Sequence, residues 1–444
     1  MVFSGFHTVK KSVYKDAVSG FLPRTALVPL RQECGAECRC LVGVGDVVQE
    51  GQLIAASAAD AGRFASCVHA PIPGKVVGME SCTCPDGRSS DAVRIALGGT
   101  FSFLGKRRAA ADAALLSAPM LLRDIAAKGV LNTFEASKPE LLAAQLASAG
   151  GGRRLLVVRL FDEDVSRLTD SLAAKLFFDK VFEGALISAK AMAAAGVIFA
   201  VPRDFSAGEW EGLLSEPPGM RVPSLYVSVD AGAYPSGHPK ELAAAVRKAS
   251  KEAPFSNACA SDVYTDASTM LEVCRTVKAG MPVIDRYVHV SGSCLHASGF
   301  IKVCIGTTLR ELAEQCGGFR KWPAAIIVNG LVCGMSAGTL DAPVAKYVKS
   351  VLFLPSSKSP DQRPSVCVRC GNCRRACPRG LSPDILYRHI TGMHLAEPEY
   401  AASAALCVDC GLCNYVCPAR LPICQEIRCF QKKTAEGRPE VNHV

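Results

Sequence analysis

Residues 367–378 read CVRCGNCRRACP, and forty positions later residues 407–418 read CVDCGLCNYVCP. Both runs follow the pattern Cys-x-x-Cys-x-x-Cys-x-x-x-Cys-Pro, the bacterial ferredoxin spacing for [4Fe–4S] clusters. An iron–sulfur cube needs four thiolates around it. The two-residue gaps let one loop supply three of them, and the fourth cysteine, on the following turn, reaches the other cluster. The spacing therefore predicts one cluster on Cys367, Cys370 and Cys373, completed by Cys417. It predicts a second on Cys407, Cys410 and Cys413, completed by Cys377. Gly371 and Gly411 allow the tight loop. Structural zinc uses separated Cys-x-x-Cys pairs, or pairs with histidine, and fits two copies ending in Cys-Pro less well.

The chain has 22 cysteines in 444 residues, so fourteen lie outside these runs. Cys259, Cys274, Cys294, Cys304, Cys316 and Cys333 sit in apolar segments and read as buried thiols. Cys424 and Cys429 follow the second run at helical spacing and have no matching pair. Cys34, Cys38, Cys40, Cys82 and Cys84 form two denser groups that would bind a metal only if the fold brought them together. His69, in the same region, reads as a packed turn residue.

A chain that is 49% hydrophobic and 20% charged can build several cores. Its start, MVFSGFHTVKKSVYKD, has no basic region followed by a long apolar one, so a cytosolic protein with reduced thiols is expected. The long uncharged stretch 322–340 is broken by glycines, Asn329 and Pro323, and reads as buried strand and turn rather than a membrane span. The formal charge of +9 suits a solvated surface, an acidic protein partner or an anionic membrane face. No helix-turn-helix, zinc-finger or RNA-recognition pattern is present, which argues against nucleic acid.

Outward from the cysteine runs, the expected architecture is multidomain, α/β plus β. Residues 1–105 form a lead-in and a barrel-sandwich domain, on the paired segments GDVVQEGQLI (45–54) and HAPIPGKVVGME (69–80). The tip between them, 55–68, has no lysine, so a swinging-arm carrier is not expected. Residues 106–278 alternate alanine-rich helices with the apolar runs RRLLVVRL, GVIFAV and SLYVSV, the pattern of an α/β domain with a parallel sheet. GAYPSGHPKEL (232–242) follows the last of these runs, at a carboxyl end where open sheets bind ligands. Residues 279–353 read as a β-grasp module, 354–365 as a proline- and serine-rich linker, 366–430 as a helical two-cluster domain and 431–444 as a tail.

In order, HAPIPGKV, YPSGHPKEL, GMPVIDRYVHVSG, LDAPVAKYVKSVLFL and the two cysteine runs resemble RnfC, the C subunit of the Rnf ion-translocating electron transport complex. The resemblance covers nearly the whole chain. It implies a barrel sandwich, an α/β domain like the NADH- and FMN-binding domain of complex I, a β-grasp (SLBB-like) module and a two-cluster ferredoxin-like domain. It implies two [4Fe–4S] clusters, with FMN and NAD(H) in the α/β domain, where Tyr234 would stack on a ring and Gly237 would approach a phosphate. It further implies an oxidoreductase and translocase whose cofactors carry the chemistry, with no catalytic side chain needed on this chain. The implied partners are the other subunits of a membrane complex and a ferredoxin or flavoprotein donor. The implied location is peripheral, at the cytoplasmic face of the inner membrane, with no transmembrane span of its own.

The sequence departs from the family in one region. Members that bind FMN and NADH carry a glycine-rich GGAGFP-like loop, which lets backbone N–H groups reach phosphate oxygens. Here that place reads DIAAKGVLNTFEASKP (124–139), with Gly129 alone, and the following AECEPY-like stretch is replaced by RLFDEDVSRL (159–168). In this region the chain is closer to NqrA, the related subunit of a sodium-pumping NADH:quinone reductase. The residues thus leave two versions of the subunit open, one with an FMN/NADH pocket and one acting only as a cluster relay. A soluble ferredoxin-dependent oxidoreductase and a scaffold with structural clusters are readings from other classes.

Overall fold

The structure is a computed structural model that describes residues 16–33, 37–58, 64–98, 112–151, 153–164, 166–203, 220–356, 364–392 and 398–435. The chain divides into two compact units, Met1–Pro355 and Ser356–Val444.

The first unit opens with two small antiparallel sheets. One orders the strands Thr25–Pro29, Ser89–Leu97, Gly74–Thr83 and Val47–Val48. The other orders Arg39–Cys40, Leu53–Ala56 and Cys67–His69. Their inward side chains make one core of Ala26, Val28, Ile54, Val68, Ile72, Val76, Val93 and Ile95, all fully buried. Period-two alternation produces this: Lys75 and Val77 face out while Val76 faces in.

Next comes a four-stranded, wholly parallel sheet in the order Ser224–Val229, Gly196–Pro202, Leu155–Arg159, Val263–Asp266. Its two central strands are buried on both faces, as parallel sheets require. Alternate residues feed two different cores. Leu156, Val158, Val197 and Phe199 pack with helices Ala118–Ala127, Leu142–Ser148, Phe178–Met192 and Ala267–Ala279. Leu155, Val157, Ile198 and Ala200 pack with Leu242 and Val246 of helix Pro239–Ala249. The chain builds outward from the strand at 155–159 to those at 196–202 and 224–229, then crosses back to add 263–266 on the other side. Strand order therefore reverses between Leu155–Arg159 and Val263–Asp266, and a crevice is expected at their carboxyl ends.

A six-stranded mixed sheet has the order Val18–Ser19, Gly299–Cys304, Asp285–Ser291, Ser350–Leu354, Ala325–Val328, Met335–Ala337. Its edge strand Val18–Ser19 comes from the N-terminal lead-in and runs parallel to Gly299–Cys304. Helix Leu309–Gln315 covers it, started by a capping box in which Thr308 and Glu311 satisfy each other's backbone N–H groups. The uncharged stretch 322–340 lies in this sheet as two strands and a turn.

Helices Asn372–Ala376, Pro383–Thr391, Pro398–Ala405, Leu412–Tyr415 and Ile423–Ala435 build the second unit. The first two repeat forty residues later as the fourth and fifth. Leu386, Ile390, Leu421, Ile423, Ile427 and Phe430 form the core, with Cys373 and Cys413 buried in it. The His389 ring stacks on Tyr400 with centroids 3.5 Å apart. Among the described residues, no helix is long and apolar enough to cross a membrane.

Candidate cluster site and sheet crevice

The two cysteine runs share a backbone as well as a spacing. Arg369, Gly371 and Gly380 have φ of 54°, 73° and 65°, and Asp409, Gly411 and Arg420, each forty residues on, have 54°, 70° and 53°. Left-handed residues at the third and fifth positions curl each loop and turn successive N–H groups inward, a geometry that suits anionic groups and Fe–S sites. Gly371 and Gly411 then cap their short helices.

The fold also brings the runs together crosswise. Cys377, the last cysteine of the first run, lines one pocket with Cys407, Cys410 and Cys413 of the second. At the other end, Ser365 N donates to Ala419 O at 3.0 Å, which lays the start of the first run along the end of the second. Cys367, Cys417 and Tyr387 all pack against the same small core. Burial pushes the Cys410 thiol up to about 11. A bound iron would reverse that preference, because a coordinating thiol is deprotonated. Among the described residues, no group of three or more His, Cys, Asp or Glu side chains is arranged for a single metal ion.

The twin runs differ in their surroundings. The first carries Arg369, Arg374, Arg375 and Arg379 and no carboxylate, whereas the second carries Asp409 and Arg420. Cys370 is exposed, beside Val366 and Val368, which are 85% and 66% exposed. Cys410, its counterpart, is partly covered. Position 384 is an aspartate bound to Arg374 at 2.7 Å, while position 424 is a cysteine whose Sγ meets Asp409 Oδ1 at 3.0 Å. Cys424 also lines the pocket of Cys377 and the second run. Its helical spacing gave no hint of that position, because the first run has no counterpart thiol.

The other cysteines are not gathered. Cys38 Sγ reaches Ser66 O and Cys40 Sγ reaches Ile54 O beside the three-stranded sheet, while Cys82 and Cys84 pack together with Leu27 and Ala92 in a separate cluster. Cys34 lies outside the described residues. Of the six thiols expected to be buried, Cys274, Cys294 and Cys316 are, but Cys304 and Cys333 are partly covered and Cys259 is exposed. Cys259 sits in the turn before strand Val263–Asp266, beyond the apolar run that suggested burial. His69 is buried in a strand rather than a turn.

At the crevice of the parallel sheet, the three segments that a flavin pocket would use meet on one side chain. Arg159 ends its strand and is fully buried. Its guanidinium donates to Phe134 O at 3.0 Å, Gly237 O at 3.0 Å and Glu163 Oε2 at 2.9 Å, and stacks 4.0 Å over the Phe134 ring. A Cβ on Gly237 would lie 3.0 Å from Arg159 Cδ. The Tyr234 hydroxyl is 2.9 Å from Cys333 Sγ, and the residue is buried. Gly129, the lone glycine of 124–139, offers its carbonyl to Lys346 Nζ at 2.9 Å.

Beside Arg159, Lys349 reaches into the reversal point from the mixed sheet. Its Nζ lies 2.8 Å from Asp170 and 2.6 Å from Asp266, with all three side chains fully buried. Asp164 accepts from Val332 N at 2.6 Å and Cys333 N at 3.1 Å, which ties loop 330–333 across the same end. A separate pocket opens beyond Phe134. It is lined by Glu135, Glu140 and Asp262 with Lys138 and Arg154, and no glycine faces it.

Comparison with known proteins bears on the two ends of the chain. Residues 6–100 match the RnfC barrel sandwich hybrid domain, and residues 366–422 match a 4Fe-4S dicluster domain. The chain is 28% identical over 436 residues to the C subunit of the ion-translocating oxidoreductase complex of Rhodobacter capsulatus, covering 94% of this chain and 79% of the relative. By sequence, the chain is similar to that protein over nearly its whole length. It is also 29% identical to the C subunit of the proton-translocating ferredoxin:NAD(+) oxidoreductase complex of Clostridium ljungdahlii, covering 82% of this chain and 78% of that one. The C subunit of the Na(+)-translocating ferredoxin:NAD(+) oxidoreductase complex of Acetobacterium woodii is 25% identical, covering 82% and 81%. The match to the Rhodobacter protein is long enough to take in both units of the fold.

Proposed function

We propose that the chain is the peripheral electron-transfer subunit of a membrane-bound Rnf-type complex, an oxidoreductase that couples electron flow between ferredoxin and NAD to ion translocation. The observation that carries this reading is the pair of matching cysteine runs, with Cys377 brought to the pocket of Cys407, Cys410 and Cys413. Cys407, Cys410, Cys413 and Cys377 hold one [4Fe–4S] cluster, and Cys367, Cys370, Cys373 and Cys417 hold the other. Bound clusters of this kind exchange single electrons without a proton donor or nucleophile from the protein.

The chain's own residues bind, orient and exclude water. The left-handed positions aim backbone N–H groups at each cluster. Leu386, Ile390, Ile423 and Ile427 keep the buried thiolates Cys373 and Cys413 dry. Hydrogen bonding, burial and local charge are the levers that set a cluster's potential, and Asp409 and Cys424 act on the second set alone. The partners are the other subunits of the complex and a ferredoxin or flavoprotein donor, with the chain docked at the cytoplasmic face of the membrane. The α/β and mixed-sheet parts are the scaffold of a flavin-type domain and a β-grasp module.

Anaerobically purified protein should contain about eight irons per chain. Cys417→Ser should remove the cluster of the first run, and Cys377→Ser that of the second. Each variant should keep about four irons and one EPR signal on reduction. If Cys377→Ser instead removes the signal lost in Cys370→Ser, each run holds its own cluster and the crosswise assignment is wrong. A fully loaded protein that gives no EPR signal on reduction would leave only a structural role for the clusters.

A further inference from the structure

We infer that the crevice at the reversal of strand order is sealed by Arg159, so that this chain holds no flavin and takes no hydride from a nicotinamide. The inference rests on the cluster-relay reading and sharpens it, since electrons then enter and leave only through the cysteine-bearing unit.

The position follows from topology. In an open parallel sheet the ligand crevice lies at the carboxyl ends of the two strands where the order reverses. Those ends are Arg159 and Asp266. A ligand crevice there needs open space and free backbone donors. Here the guanidinium occupies the space, and the Phe134 and Gly237 carbonyls, rather than N–H groups, point into it. Asp266 is taken by Lys349 and by the Thr133 hydroxyl at 3.0 Å. An isoalloxazine ring would have to displace a buried cation from four partners at once: the Phe134 ring, two carbonyls and Glu163. Burial raises the pKa of the Glu163 carboxyl, and Arg159 opposes that rise. The neighbouring pocket beyond Phe134 sets three carboxylates against two cations, Lys138 and Arg154, and no glycine in its lining brings backbone N–H groups to a phosphate.

The chemistry makes a clean test. NADH gives up two electrons as a hydride, and a [4Fe–4S] cluster takes one electron, so NADH reduces clusters only through a group that splits the pair. Full-length protein, purified anaerobically, would be assayed for iron, for flavin released by acid and read by fluorescence, and for bleaching of its visible band by NADH and then by dithionite. The seal predicts no flavin, no bleaching by NADH and full bleaching by dithionite. Flavin at one per chain, or bleaching by NADH, overturns it. Missing iron would sink the cluster reading instead, while flavin content would still decide the seal. Arg159→Ala gives a second readout. It should lower the melting midpoint of the first unit by roughly 4–7 °C, because a largely covered Glu163 is left without its cation and the space of the guanidinium is emptied, with the cluster spectrum unchanged. An unchanged midpoint would show that Arg159 fills no space that matters.

Discussion

Lys349 shows how much one side chain can hold in place. It is fully buried between two fully buried carboxylates contributed by two separate segments, Asp170 and Asp266. Its own backbone carbonyl also accepts from Thr169 Oγ1 at 2.5 Å. Lys349→Met should cost about 3–5 kcal/mol, because it strands two buried carboxylates; thermal denaturation of the first unit would measure it. Buried histidines set a second, pH-dependent contribution. Burial holds His289 down at about 4 and, with Lys346 and Lys128, holds His69 down at about 3. Both stay neutral in the fold, while the unfolded chain takes up protons near pH 6.5. Their stabilisation is therefore complete above pH 6.5 and drains away as pH falls toward 4. His289→Gln should remove on the order of 3 kcal/mol of that acid sensitivity, visible as a flatter plot of melting midpoint against pH. Neither Arg159 nor Lys349 was legible as a crevice residue in the sequence. Strand order brings Arg159 beside Asp266, and tertiary packing of helix Thr169–Leu176 brings Asp170 to Lys349. The two cysteine runs were legible as a repeat because their spacing is local.

At the level of elements, the repeat of forty residues is the clearest signal. It copies helix positions, and it copies the left-handed residues at 369/409, 371/411 and 380/420. Glycine at 371 and 411 marked two of these in advance; Arg369, Asp409 and Arg420 gave no sign, because such residues seldom adopt positive φ. Gly411→Val should therefore prevent the second loop from closing. Its expected result is about four irons per chain, with the first cluster's EPR signal intact. Loss of both signals would mean that the two loops fold as one piece. The parallel sheet was equally legible, since LLVVR and GVIFAVP are continuous apolar runs between helical stretches. The edge strand Val18–Ser19 was not. Two exposed residues carry no pattern, and only the parallel register with Ile301 and Lys302 defines them as a strand.

At the level of the whole molecule, the surplus of positive charge is uneven. The first cysteine run alone has four arginines and no carboxylate, around the exposed Cys370. An acidic electron donor should be drawn to that face, so its rate of cluster reduction should fall steeply as salt rises from about 50 to 500 mM. Arg369→Glu with Arg375→Glu should remove most of that dependence in stopped-flow traces, at unchanged iron content. Relatives of similar identity belong to a proton-translocating and a Na(+)-translocating complex. The unequal cover over the twin runs has a further consequence, for damage. Dioxygen arriving from solvent meets the site of Cys370 before the pocketed site of Cys410. Brief exposure to air should therefore leave a uniform population of half-loaded molecules, each missing the same cluster, rather than a mixture of full and empty ones.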